Sequence, residues 1–249
     1  MFNPRIATVA AGVYLGYIGI AGVFLVSGCG PATLSTSTTN PSPTTGGMYV
    51  NVTATPAASG MYGNPAAAAK YWQPQSLEDN CGLMSVADVV GEITGHAPTE
   101  QQMVTLAENT PSGTNPGPIY APRDDPSHSG DDSGTEMADE VVLLDHYRIK
   151  SAMTYAATPE QTGISALERY LSNDRKVIAW VNSAIIWDTN DQRTKADHFL
   201  VVTGIDTNKE IVHLNDPGAD HADEQVTMTT FTNAWRTGEE SIVVTAATS

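Results

Sequence analysis

Apolar residues recur at steps of three and four along one early stretch of the chain, and this spacing predicts a helix with one buried face. The apolar positions are Leu83, Val86, Ala87, Val90 and Ile93. Asn80 is a favourable residue type for a helix start, and Gly95 is a typical stop. The pattern therefore predicts a helix between these two residues, with Cys81 in its first turn.

Three more helices and a group of strands follow from similar signals. Thr99 and Gln102 have the spacing of a capping box, residues 136–147 carry a second amphipathic pattern, and Thr158 before Pro159 predicts a further helix start. β-branched and aromatic residues predict strands at 152–155, 177–181, 199–203, 210–214 and 242–245. Because most helices precede most strands, we predict an α+β fold in which helices pack on a mainly antiparallel sheet.

Two of these strands, 199–203 and 210–214, are separated by a short polar segment and are predicted to form a hairpin. His198 stands at the entry to the first strand, and Asp216 follows the end of the second. In an antiparallel pair these two ends lie beside each other, so we expect the carboxylate to contact the imidazole. Asp197 points to the other face of the strand, and we expect it to contact solvent or make a structural hydrogen bond.

Cys81 is a candidate nucleophile because unpaired N–H groups and the dipole at a helix start favour a thiolate. A nearby imidazole such as His198 can take the thiol proton, and an acid such as Asp216 can orient that imidazole. Gln75 lies six residues before Cys81 and is a candidate oxyanion donor, with Gln73 as the rival. The alternative interpretation is that Cys81 is a small buried hydrophobe at a helix start.

The amino terminus is predicted to carry an export signal. Residues 6–28 are uncharged and long enough to span a bilayer, and they follow Arg5. The run ends in Val-Ser-Gly followed by Cys29, which resembles the lipobox of bacterial lipoproteins, in which the cysteine is lipidated. A permanent transmembrane anchor is the alternative. In both cases we expect the bulk of the chain to lie outside the cytoplasmic membrane, tethered to the cell envelope or secreted.

Composition divides the chain into three predicted parts. Residues 1–28 are the signal segment, residues 29–69 are a tether rich in Ser, Thr, Pro and Ala, and residues 70–249 are the folded domain. The net charge of −16 argues against nucleic acid as a partner. The long loop at 109–134 holds several Asp residues, but it lacks the spacing of a calcium loop, so no metal or organic cofactor is predicted.

The set formed by Gln75, Asn-Cys81-Gly, His198 before Val-Val-Thr-Gly, and Asn-Asp216-Pro resembles the papain-like cysteine peptidase family typified by bacteriocin-processing double-glycine leader peptidases. The late Phe231-Thr-Asn-Ala-Trp segment is also similar. The resemblance implies a papain-like fold with Cys81 as nucleophile, His198 as general base and acid, Asp216 as orienting acid and Gln75 as oxyanion donor. Leu follows the Cys-Gly pair where the family often has Pro, and the 109–134 loop is long for it.

These observations predict an exported thiol hydrolase that cleaves a peptide or amide bond, with a peptide, protein or cell-wall peptide as substrate. Two alternatives remain open. One is a catalytically silent papain-like domain that binds peptide or cell-wall ligands, and the other is an acyl transferase or amidase that uses the same residues. Three tryptophans, Trp180, Trp187 and Trp235, are predicted to lie in the core.

Overall fold

A seven-stranded antiparallel sheet organises the computed structural model, which describes residues 60–121 and 134–247. The strands are β1 Met61–Gly63, β2 Ser151–Thr154, β3 Val177–Val181, β4 His198–Asp206, β5 Ile211–Asn215, β6 Glu224–Thr227 and β7 Ile242–Thr245. Their order is β2-β7-β3-β4-β5-β6, and β1 pairs with the far end of β4, beyond the end of β3. The α+β fold with an antiparallel sheet is as predicted.

Helices cover both faces of the sheet. They are α1 Pro65–Ala68, α2 Cys81–Thr94, α3 Glu100–Glu108, α4 Met137–His146, α5 Ile164–Ser172, α6 Ser183–Ile186 and α7 Met228–Arg236. One hydrophobic cluster joins the sheet to α2, α3 and α4, and a second joins it to α5 and α7. Successive residues of β4 alternate between them, since Phe199 and Val201 belong to the first cluster and Leu200 and Val202 to the second.

Most of the predicted helix ends are confirmed. Helix α2 begins at Cys81 and stops at Gly95, whose left-handed backbone (φ 80°) suits glycine. The capping box of Thr99 and Gln102 opens α3. The helix predicted from Thr158 starts later, because Pro159–Gln161 forms only a short 3-10 turn and Gly163 (φ 83°) breaks the chain before α5.

The described fold already includes residues 60–69, which precede the predicted domain boundary at residue 70. Strand β1 pairs with β4, and α1 is capped by Asn64, whose side chain accepts a hydrogen bond from Ala67 N at 3.2 Å. Backbone pairing holds β1 against β4, and Tyr62 packs on the second hydrophobic cluster. Residues 1–59, including the predicted export signal and Cys29, lie outside the described residues, as do residues 122–133 of the acidic loop.

Among residues 60–121 and 134–247, no helix is long and apolar enough to cross a membrane.

Candidate active site

Cys81 is the first residue of α2 and is 9% exposed. The Asn80 side chain precedes it but does not cap the helix, because its amide instead donates to Glu100 Oε1 at 2.8 Å. The first-turn N–H groups of α2 are therefore not occupied by the usual side-chain acceptor. Their dipoles favour negative charge at Cys81, whether on sulfur or on an oxygen bound beside it.

His198 is the first residue of β4 and is 4% exposed. It lies opposite Val181 of β3, and β4 continues into the predicted hairpin with β5. The ring Nε2 is 2.6 Å from Asp216 Oδ1, so the hairpin brings the imidazole and the carboxylate together as expected. The charge and hydrogen-bonding capacity of the Cys81 thiol also act on this ring and raise its pKa.

Asp216 follows β5 directly and is fully buried. Its Oδ1 accepts from the Gly218 backbone N–H at 2.7 Å as well as from His198, and its Oδ2 accepts from Trp187 Nε1 at 2.9 Å. The Trp72 indole also donates to the Asp216 carbonyl at 2.6 Å. This set of donors fixes the carboxylate in one orientation.

The charges of Asp216, His198 and Cys81, which we call the catalytic row, favour a protonated, charged His198 imidazole. Burial lowers the pKa of His198, but the negative charges of Asp216 and Cys81 and their hydrogen bonds outweigh it and raise the pKa to about 10. Burial raises the pKa of Asp216, yet His198 and the hydrogen bonds from Gly218 and Trp187 bring it below its ordinary value. At neutral pH, a carboxylate, an imidazolium and a sulfur therefore stand in sequence.

Gln75 contacts the turn that follows Asp216. Its backbone N–H donates to the Pro217 carbonyl at 2.8 Å, which attaches it to the turn that carries Asp216. Its side-chain Nε2 donates to the Leu77 carbonyl at 2.8 Å, and no residue of the described ranges makes a hydrogen bond with its buried Oε1. Gln73, the rival, donates to the Pro98 carbonyl at 3.0 Å. The oxyanion role of Gln75 stays a prediction.

Of two residues beside the site, Asp197 makes the kind of contact predicted for it and Trp187 does not. Asp197 accepts from the backbone N–H and hydroxyl of Ser183, both at 2.9 Å, which is the structural hydrogen bonding expected for it. Trp187 was expected in the core, but it is 40% exposed and its ring centroid is 5.0 Å from that of His198. The prediction for Trp187 is wrong because the four-residue helix α6 ends beside Asp216, and the Trp187 indole therefore covers the site. Trp235, which was also expected in the core, is fully buried.

Glu140 is a residue of the site that sequence reasoning missed. It is fully buried on α4, and neither of its carboxyl oxygens has a hydrogen-bond partner in the described part of the chain. Burial raises its pKa well above the ordinary value, and the charges of Cys81 and Asp139 add to the effect. The helical spacing contained a signal, since Glu140 lies three residues after Met137 and four before Leu144, on the face predicted to be buried.

Glu140 also explains the glycine that follows Cys81. A Cβ on Gly82 would lie 2.6 Å from Glu140 Oε1 and 2.1 Å from the Thr135 hydroxyl.

A second carboxyl, that of Glu224, contacts Asp216 from β6. No clustering of three or more histidine, cysteine or carboxylate side chains suited to a metal ion occurs within residues 60–121 and 134–247.

Comparison with known proteins agrees with the resemblance in the sequence. The model of the peptidase C39-like family matches residues 69–242. Proteins of Mycobacterium tuberculosis and Mycobacterium bovis are each 44% identical over 200 residues, covering 76% of this chain and 86% of the relative.

Two solved structures are also similar. A C39-like peptidase from Bacillus anthracis has a TM-score of 0.49 at 21% identity, over 72% of this chain and 94% of that chain. A double-glycine-motif protease from an AMS/PCAT transporter, in complex with the leader peptide, has a TM-score of 0.42 at 15% identity, over 70% and 89%. The family match covers most of the chain, and the chain belongs to the peptidase C39-like family of cysteine peptidase-like hydrolases.

Proposed function

We propose that this chain is a thiol peptidase that cleaves a peptide bond with Cys81 as nucleophile, His198 as acid and base, and Asp216 as the orienting carboxylate. The observation that carries the proposal is the 2.6 Å contact between Asp216 Oδ1 and His198 Nε2, in an imidazole whose pKa the Cys81 thiol also raises. A sulfur, an imidazole and a buried carboxylate in this order are what nucleophilic acyl transfer requires.

In the first half of the reaction the Cys81 thiolate attacks the carbonyl carbon of the scissile bond and a C–S bond forms. The resulting oxyanion is stabilised by the first-turn N–H groups of α2, the Cys81 N–H among them, and by the Gln75 carboxamide. Protonated His198 then gives its proton to the leaving nitrogen. The C–N bond breaks, the amine product leaves, and the acyl group remains on sulfur as a thioester.

In the second half, neutral His198 takes a proton from a water molecule as that water attacks the thioester carbonyl. The C–S bond breaks, the acyl product leaves as a carboxylic acid, and the thiolate–imidazolium pair is restored. Asp216 stays ionised throughout, since its lowered pKa and its hydrogen bonds from Trp187 and Gly218 hold the negative charge that stabilises the imidazolium.

The chain offers a matched control for testing these roles. His213 on β5 is also buried, and its Nδ1 is 2.7 Å from Asp223, so it forms a second histidine–aspartate pair that has no place in the proposed mechanism. The full-length protein, purified in detergent, is incubated with a library of internally quenched fluorescent peptides. Cleavage by the wild type and by His213→Gln, together with loss of cleavage in Cys81→Ala and His198→Gln, supports the proposal. Cleavage that survives in Cys81→Ala contradicts it.

We also propose that the enzyme works outside the cytoplasmic membrane, attached through lipid on Cys29, where exported peptides or cell-wall peptides are the accessible substrates. The support is the uncharged run at 6–28 and the lipobox-like residues that end it. Membrane fractionation tests the attachment. Cys29→Ala should release the protein from the membrane fraction or leave its precursor uncleaved, whereas unchanged processing and unchanged attachment contradict lipidation.

A further inference from the structure

Glu224 is a fourth ionisable group beside Asp216, His198 and Cys81. It is the first residue of β6 and pairs with Leu214 of β5, two residues before Asp216. Its side chain is half-buried and lies near enough to the Asp216 carboxyl group for that group's charge and hydrogen bonding to raise the pKa of Glu224. Its Oε2 is buried, and no donor in the described part of the chain reaches it.

The geometry decides which of the two carboxyl groups holds a proton. Two ionised carboxylates in contact repel each other, and a hydrogen bond between them requires one proton. Asp216 already accepts from His198, Gly218 and Trp187, and these donors stabilise its ionised form. No donor of this kind reaches Glu224 from the residues that the structure describes, so the proton resides on Glu224, which donates it to Asp216.

The charges around Glu224 set the pH at which that proton leaves. Burial and the negative charge of Asp216 raise the pKa of Glu224 to about 7, against the opposing effects of His221 from the same turn and His198 from β4. Asp223, the preceding residue, is paired with His213 of β5. Glu224 is therefore mostly protonated at pH 6 and mostly ionised at pH 8.

We propose that Glu224, as a neutral acid, is a positioning residue that holds Asp216 in the orientation His198 needs, and that loss of its proton weakens this hold. Ionised Glu224 places a second negative charge against the buried Asp216 carboxylate. The two negative charges repel each other, so Asp216 moves off His198 and the imidazole loses its fixed orientation. This inference rests on the proposed peptidase function and predicts a catalytic rate that declines on the alkaline side of neutrality.

The test compares the pH dependence of kcat for cleavage of the quenched peptides by the wild type and by Glu224→Gln. The Gln carboxamide keeps an N–H donor to Asp216 but does not titrate. We expect kcat of the wild type to fall about tenfold between pH 6 and pH 8, because only about a tenth of Glu224 keeps its proton one unit above its pKa. The rate of Glu224→Gln should stay level across the same range, and Asp220→Asn, an exposed acid in the same turn, should follow the wild type. An equal decline in Glu224→Gln overturns the proposal.

A second measurement is independent of catalysis. In the full-length protein with ¹⁵N-labelled histidine, the His198 ring resonance should shift with a midpoint near pH 7 in the wild type and lack this step in Glu224→Gln. If no peptide is cleaved at any pH while the step is present, the peptidase function fails and the link between Glu224 and His198 stands. If the step persists in Glu224→Gln and in Glu224→Met, the link is overturned whatever the activity.

Discussion

Replacing Asp216 with Asn removes one charge from the row while nearly preserving its shape. The Asn oxygen can still accept from His198 and from Gly218, whose N–H groups lie on the Oδ1 side. Its amide nitrogen then faces the Trp187 indole N–H, so two donors meet and that hydrogen bond is lost. The main expected effect is electrostatic, because the imidazolium loses a carboxylate whose oxygen is 2.6 Å from its Nε2.

The magnitude follows from the His198 pKa. It stands at about 10 against an ordinary 6.5, and Asp216 is the first of the groups that raise it, ahead of Cys81. We expect the pKa in Asp216→Asn to fall by at least about two pH units, a loss of about 3 kcal/mol at 1.36 kcal/mol per unit. The raised pKa stabilises the folded protein fully below pH 6.5, and this contribution disappears as the pH rises from 6.5 through 10. The difference in unfolding free energy between wild type and variant should therefore be largest near pH 6 and shrink toward pH 10.

Two assays measure this prediction. The ¹⁵N resonances of the His198 ring report its pKa directly, and urea unfolding at pH 6 and pH 9.5 reports the stability difference. Asp223→Asn is the matched control, since it alters the other buried histidine–aspartate pair and should leave the His198 titration unchanged. A His198 pKa that stays near 10 in Asp216→Asn would refute the electrostatic reasoning.

Three further changes have expected outcomes. Gly82→Ala should lower the free energy of unfolding by about 1–3 kcal/mol, because its Cβ would overlap Glu140 and Thr135; Gly113→Ala, with its nearest contact at 3.9 Å, is the control in urea unfolding. Glu140→Gln should raise the unfolding free energy at pH 7 by up to about 3 kcal/mol, because ionisation of Glu140 in the unfolded chain no longer opposes folding. This gain in unfolding free energy should vanish at pH 4, and a lower unfolding free energy at pH 7 would contradict the prediction. Trp187→Phe leaves a buried oxygen of Asp216 unpaired and should lower kcat about tenfold, equivalent to 1.4 kcal/mol, while an unchanged kcat would show that this hydrogen bond is dispensable.

Local signals in the sequence predicted much of the fold. The 3.6-residue period of α2, the capping box of α3 and the hairpin of β4 and β5 depend on residues close together in the chain, and all three occur as predicted. The contact of His198 with Asp216 followed from the hairpin alone, since its antiparallel register places Val201 opposite Asn215.

The features that were missed depend on contacts between distant segments. Trp187 reaches Asp216 across 29 residues from a helix of four residues, which is too short to give a periodic pattern. Glu224 lies in a polar stretch that is typical of a turn, and only its pairing with β5 brings it to Asp216. Strand β1 is held by backbone pairing with β4, which the composition of residues 61–63 does not reveal.

The central claim is that His198 activates the Cys81 sulfur, and the alkylation rate of Cys81 tests it most directly. The full-length wild type, His198→Gln and His213→Gln are treated with iodoacetamide at pH 6, and modification of Cys81 is followed by mass spectrometry. An unactivated thiol is almost entirely protonated at this pH and reacts slowly. We expect rapid modification in the wild type and in His213→Gln, and a rate at least about tenfold lower in His198→Gln. Equal rates in all three proteins would contradict it.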